Sequence, residues 1–289
     1  MAFSEQNPIV TTVYFLSVTV IAMFSMNPVI AVSALAGGII YHISMTDKNG
    51  GHAWYLIMLV LSAVLNPIFN HSGTTVLFLV NDRPITLEAV LFGILSGCAI
   101  SSALYWFGAF TRIMTSDRLL YVFGFLSPNA ALVLSMALRY APLLRERSEK
   151  VTRACRGIGV CGEDNLPDRL RSRIRVFSIM TTWAIENGII TADSMTSRGF
   201  GCTRRTGFRI FRFGRQDAIS LALIVILTGA TVCGAASGAL DYAIYPTAGA
   251  VSHTGMAVIS YIAYGILVLL PTAVNLWEAL LWKFYRSGI

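Results

Sequence analysis

The sequence predicts an all-α, polytopic membrane protein, a helical transmembrane bundle that carries two long cytoplasmic helices. Three observations lead there. Of 289 residues, 55% are hydrophobic and 13% charged, with a mean hydropathy of +0.65; a soluble domain carries about 25% charged residues. Several apolar runs approach the roughly 17–25 residues that cross a bilayer as helix. The charge is also concentrated. Residues 139–215 hold 16 of the 22 Lys and Arg but 7 of the 15 Asp and Glu, which leaves this stretch at +9 and the remainder at −2. A basic stretch between apolar runs follows the positive-inside pattern and belongs in the cytoplasm. That pattern makes nucleic acid the weaker explanation of a pI near 9.3. The expected division is residues 1–138 as transmembrane helices, 139–215 as a cytoplasmic arm and 216–289 as the last transmembrane helices.

The elements follow in order. The first residues lack a basic n-region, so no cleavable signal peptide is expected and the first apolar run is a retained helix. Ile9 to Met26 is that run, broken at Asn27-Pro28 because a residue before proline disfavours helix. Val29 to Met45 is the second, followed by a polar turn from Thr46 to His52. Ala53 to Leu65 is the third, ending in the cluster Asn66-Pro-Ile-Phe-Asn-His-Ser-Gly73. Val76–Val80 is too short to span and reads as a re-entrant segment, an interfacial segment or an extracellular hairpin. Leu87 to Phe110 spans comfortably, with Glu88 favoured at the helix N-terminus. Leu119 to Leu126 is apolar again. Ser127-Pro128 marks a helix start that runs toward Pro142, where a kink is expected. Asp217 to about Ala236 and Met256 to about Trp282 are the last spans, and Lys283 and Arg286 put the C-terminus in the cytoplasm. Six or seven apolar segments result, and the side of the N-terminus stays open.

Within the arm, Pro142 to Gly157 places Glu146 four before Lys150 and Glu149 four before Arg153, pairs that support an exposed helix. Gly157 and Gly159 can end it. A second helix runs from about Pro167 to Met195 and stops at Ser197-Arg198-Gly199. Leu170, Ile174, Phe177, Thr181, Ala184 and Gly188 recur at spacings of three and four and share one face, the mark of an amphipathic helix at the membrane boundary or packed on a similar helix. Each helix thus ends in Arg-Gly. Alone, that pair is most often a C-cap. In tandem on a basic arm, two such pairs suit docking, since guanidinium pairs bidentately with carboxylate and glycine admits close backbone approach.

The five cysteines, Cys98, Cys155, Cys161, Cys202 and Cys233, lack zinc-type spacing, and those in the arm face a reducing compartment, so neither disulfide nor metal is expected. Asn66, Asn70 and His71 read as a helix-end cap before a metal or substrate site. His42, His52 and His253 lie near loops without an evident partner. No Walker motif is present, and no catalytic cluster stands out.

The chain resembles the transmembrane T component of bacterial energy-coupling-factor transporters, importers of vitamins and transition-metal ions. The resemblance rests on Asn66-Pro-Ile-Phe-Asn-His71, Leu134-Ser-Met-Ala-Leu-Arg-Tyr140, Thr182-Trp-Ala-Ile-Glu-Asn187 and above all Ala192-Asp-Ser-Met-Thr-Ser-Arg-Gly-Phe-Gly201. The family's two short motifs have the consensus Ala-Arg-Gly. Here they read Ala154-Cys155-Arg156-Gly157 and Ser197-Arg198-Gly199, with Cys and Ser in the alanine's place. The resemblance implies a non-catalytic subunit without cofactor. It implies that Arg156 and Arg198 each enter a groove on one of two cytoplasmic ABC ATPase subunits, and that the coupling helices cross in an X. It further implies that the face Leu170–Ile174–Phe177–Thr181–Ala184–Gly188 meets a membrane-embedded S component. Membrane lipids are further partners and nucleic acid is not. The competing expectation is a self-contained transporter or channel that carries its own substrate. Such a carrier calls for discontinuous helices with polar groups at mid-depth, and no convincing one is legible.

Overall fold

A computed structural model describes residues 3–45, 52–70, 72–80, 83–160, 165–202, 211, 213–246, 249 and 251–287. The expected turn around 46–51, His71, Cys161 and the arginines Arg204, Arg205, Arg209 and Arg212 lie outside the described residues. The protein is an all-α membrane protein. The described residues form nine α-helices and one short hairpin: α1 Pro8–Phe24, α2 Pro28–Met45, α3 His52–Phe69, β1 Val76–Val80, β2 Arg83–Thr86, α4 Leu87–Ile113, α5 Ser116–Leu126, α6 Pro128–Gly157, α7 Leu166–Ser197, α8 Arg215–Ala236 and α9 Gly255–Ser287. By length and composition, α2, α3, α4, α8 and α9 can cross a membrane, and α1 is a shorter apolar helix of 17 residues. The chain divides into two compact units, Met1–Arg118 with Phe211–Ile289, and Leu119–Ile210.

The first unit is built on an aromatic core. Tyr14 and Phe15 of α1, Tyr41 of α2, Trp106 of α4 and Tyr264 of α9 are fully or almost fully buried. The Tyr41 and Trp106 rings stack at 5.9 Å between centroids, and Trp106 Nε1 donates to the Ala34 carbonyl at 3.0 Å. A buried indole N–H needs such an acceptor.

Small residues set how closely the helices approach. α4 carries Gly93 and Gly97 one turn apart. An added Cβ there would meet the Ala63 carbonyl at 3.1 Å and the Leu59 carbonyl at 2.9 Å, so α3 lies backbone-close against α4. Small residues four apart are the usual means of helix contact in lipid. Ser101 Oγ then donates to the Tyr55 carbonyl at 3.1 Å. The outer side of α3 keeps Leu56, Ile57, Val60, Leu61 and Val64 exposed, as a lipid-facing helix requires.

The short apolar run before α4 is an antiparallel hairpin, β1 with β2, its register shifting between Val76 and Phe78. Glu88 ties it to α4: its carboxylate accepts from Thr75 Oγ1 at 2.6 Å and from the Thr75 amide at 3.4 Å. Asn66 Nδ2 donates to the Ala89 carbonyl at 2.7 Å and Asn70 Nδ2 to the Tyr245 hydroxyl at 3.0 Å. Asn66 therefore ties α3 to α4, and Asn70 ties the end of α3 to Tyr245, in place of the helix-end cap expected there. Among the described residues no group of three or more His, Cys, Asp or Glu is placed to hold a metal ion.

His42 and His52 correct an expectation. They do have partners: the His42 ring, buried, packs edge-on against His52 at 4.6 Å and Tyr105 at 5.5 Å, and His52 Nδ1 lies 3.3 Å from the Tyr105 hydroxyl. The end of α2 and the start of α3 thus come together, which helical periodicity alone does not reveal.

Candidate docking termini and the helical hairpin

The second unit is dominated by α6 and α7, 30 and 32 residues long. Ser127 caps α6, its side chain accepting from the Ala130 amide, with Pro128 in the first turn. Pro142 lies within one continuous helix, so the two pieces expected on either side of it are joined. Glu146 accepts from Lys150 Nζ at 2.6 Å. That hydrogen bond and the lysine charge hold the Glu146 carboxyl below its ordinary value of 4.5. Glu149 is paired differently from the expectation. Its carboxylate faces Arg145 at 3.7 Å, while Arg153 Nε turns back to the Glu149 main-chain carbonyl at 3.3 Å. Both residues are four away along the helix, and Arg153 instead satisfies a carbonyl toward the helix end.

α6 and α7 form an antiparallel hairpin fastened at three levels. Tyr140 Oη and Thr191 Oγ1 are 2.7 Å apart; Thr191 donates its own proton to the Asn187 carbonyl, so the tyrosine is the donor between them. The Arg147 guanidinium lies 5.4 Å from the centre of the Trp183 ring, a contact worth about 0.5–1 kcal/mol at exposed sites. Arg175 Nη1 donates to the Val160 carbonyl at 2.8 Å beside the connection. Met180 and Cys155 are buried. The inward stripe of α7 passes through Ser172, Val176, Met180, Trp183, Asn187 and Thr191. The face predicted from periodicity lies beside it and stays open: Leu170, Ile174, Phe177, Thr181 and Gly188 are exposed and Ala184 half-buried.

Both helices end in the same backbone cap. In α6 the Val160 amide donates to the Cys155 carbonyl at 3.1 Å and the Gly159 amide to the Arg156 carbonyl at 3.0 Å. In α7 the Phe200 amide donates to Met195 and the Gly199 amide to Thr196, each at 3.0 Å. Each is a Schellman motif, closed by a left-handed glycine, Gly159 at φ +72° and Gly199 at φ +82°. α8 ends the same way at Gly238, with no arginine present, so the cap itself is independent of the arginines.

The arginines are not equivalent within these caps, which corrects the expectation of one device built twice. Arg156 lies inside the last turn and Gly157 is still helical; the capping glycine is Gly159. Arg198 is itself the capping residue and Gly199 the left-handed one. Relative to its cap, Arg198 comes two residues later, about 200° of helical rotation. Ala154, Arg156, Gly157, Ser197, Arg198 and Gly199 are all exposed, and Cys155 alone of the two motifs is buried, against the hairpin. The tetrapeptide Arg-Gly-x-Gly at 156–159 and 198–201 escaped the sequence reading, although its repetition is visible in the chain.

No family model matches the chain. Curated relatives do. It is 28% identical over 193 residues to the energy-coupling factor transporter transmembrane protein EcfT 1 of Listeria monocytogenes serotype 1/2a (strain 08-5578), covering 61% of this chain and 71% of that protein. It is 26% identical over 200 residues to the protein of the same description, EcfT, from Lactobacillus helveticus (strain DPC 4571), covering 66% of each. A further EcfT, from Lacticaseibacillus paracasei, is 32% identical over 101 residues, 34% of this chain and 38% of that one. The chain is related to the transmembrane T components of energy-coupling factor transporters. In this T-component relative the apolar helices and the long helical hairpin belong to one chain, so membrane embedding and an exposed pair of helix ends are covalently joined.

Proposed function

We propose that the protein is the non-catalytic coupling subunit of an energy-coupling-factor importer, linking two cytoplasmic ABC ATPases to a membrane-embedded S component for uptake of a vitamin or transition-metal ion. The observation that carries this reading is the pair of exposed Arg-Gly helix ends on one antiparallel hairpin. Ala154, Cys155, Arg156 and Gly157 form one ATPase-docking point, and Ser197, Arg198 and Gly199 the other. The arm at 139–215 and the C-terminus face the cytoplasm, and residues 1–138 and 216–289 embed in the bacterial inner membrane. ATP hydrolysis comes from the partners.

The physics supports a mechanical role. Truncating one partner of a buried, hydrogen-bonded charge pair costs about 2–5 kcal/mol, so two such anchors can carry ATPase motion into α6 and α7. The open face Leu170–Ile174–Phe177–Thr181–Ala184–Gly188 supplies the S-component contact, with Ala184, Gly188 and Thr181 small enough for a neighbouring helix to pack and slide. The different placement of the two arginines suits ATPases presented in different orientations.

Co-expression with the ATPases tests the proposal. Wild type is compared with Arg156→Ala, Arg198→Ala and the double variant for the amount of ATPase retained on purification. Each single variant is expected to weaken retention and the double variant to abolish it. Retention unchanged in the double variant would leave these termini as helix caps only.

A further inference from the structure

Between α6 and α7 lies a groove of about 950 Å³ whose walls change character along its length. Toward the connection it is lined by Arg156, Arg169 and Arg173, with Thr152 and Ser172 between them. Further along, Val176, Met180, Ala184, Ile185 and Leu144 make it apolar, and Arg145 stands at that end with Glu149 at 3.7 Å. No carboxylate is among the described lining residues. Charges of one sign in a cleft with low-dielectric walls focus the field and draw in an anion. Guanidinium groups are also the residues best matched to phosphate oxygens.

The geometry points to a binding site for one anionic phospholipid, its phosphate held by Arg169 and Arg173 and an acyl chain laid along the apolar half. Two features favour this occupant. From Arg173 to Ile185 the groove follows about 18 Å of helix, comparable with the roughly 15 Å depth of one hydrocarbon leaflet. The apolar end also continues into exposed Ile185, Ile189 and Ile190 on α7, a surface suited to hydrocarbon and unsuited to a small hydrophilic anion. The lipid makes the hairpin responsive to membrane composition, a property separate from ATPase docking and resting on different arginines.

The test uses the full chain, purified in detergent and stripped of lipid. Native mass spectrometry then follows the binding of phosphatidylglycerol, with phosphatidylcholine and inorganic phosphate as the comparison probes. Wild type is expected to retain phosphatidylglycerol in preference to phosphatidylcholine, with inorganic phosphate failing to displace it. Arg169→Gln with Arg173→Gln should weaken retention at least tenfold, since each hydrogen bond to a charged group carries about that much, while Arg156 and Arg198 remain. Ala184→Phe keeps every arginine and fills the apolar half, and should also lose the lipid. Equal retention of the two phospholipids, wild-type retention in both variants, or displacement by inorganic phosphate would overturn the proposal. Loss of the lipid on assembly with the ATPases would assign the groove to a protein partner and overturn it as well.

Discussion

Gly157 and Gly199 look alike in the sequence, yet the structure gives their replacement by alanine opposite effects. Gly157 has helical backbone in the last turn of α6, and a Cβ there meets nothing within 4 Å. Alanine is preferred to glycine in a helix by about 0.8–1.0 kcal/mol, reduced at a terminus, so Gly157→Ala should stabilise the end of α6 by about 0.5 kcal/mol. Gly199 has φ +82°, and a side chain in the left-handed region costs roughly 1–2 kcal/mol. The space around Gly199 is open as well, so the difference is purely conformational. Hydrogen exchange of the Val160 and Phe200 amides, whose bonds close the two caps, reads both effects. Gly157→Ala should slow exchange at Val160 about twofold, and Gly199→Ala should speed exchange at Phe200 by about five- to thirtyfold. Faster exchange in both variants, or no change at Phe200, would refute the assignment of Gly159 and Gly199 as the capping glycines. The same Gly157→Ala variant, folded and better capped, should nonetheless bind ATPase less well if the partner approaches the bare backbone.

Three further outcomes follow from the packing and charge. Gly97→Val should destabilise the α3–α4 pair by about 1–3 kcal/mol in detergent unfolding, because the backbone carbonyl of Leu59 would sit 2.9 Å from its Cβ, whereas Gly188→Ala, open on every side, should not destabilise. Glu88→Gln should loosen the hairpin by about 1.5–3 kcal/mol, seen as increased protease cleavage between 72 and 86, since the Thr75 hydroxyl and amide both donate to this carboxylate. Glu146, held below its ordinary value by Lys150, should support α6 above pH 4.5 and lose that support as the pH falls through its depressed value. Carboxyl NMR titration should show Lys150→Gln restoring the ordinary value.

Much of the architecture was legible because it depends on local chemistry. Asn27-Pro28 and Ser127-Pro128 mark real helix starts; the Asn27 and Ser127 side chains accept from the Val29 and Ala130 amides. Five of the apolar runs became helices long and apolar enough to cross a membrane, while the first became the shorter α1 and Leu119–Leu126 fell in the 11-residue α5; Asp217 near the start of α8 accepts from the Gly214 amide at 2.9 Å, as a carboxylate there should. What escaped depends on contacts between distant residues. His42 meets His52 and Tyr105 only once α2, α3 and α4 assemble. The role of Gly93 and Gly97 appears only against the carbonyls of α3. In the arm, Arg156 and Arg198 were legible as residues but not in register, because both Gly157 and Gly159 can end α6 and only the backbone decides between them. The arginine-lined groove was hidden for a similar reason: Arg156 and Arg173 line one groove only because α6 and α7 fold back as an antiparallel hairpin.

The most direct test of the coupling role is uptake by proteoliposomes holding either this chain alone or the chain with its two ATPases and an S component, with ATP supplied on the ATPase side. The account predicts no uptake by the chain alone and ATP-dependent uptake by the assembly, lost when Arg156→Ala and Arg198→Ala are combined. Solute accumulation by the chain alone would contradict it and make the protein a self-contained transporter.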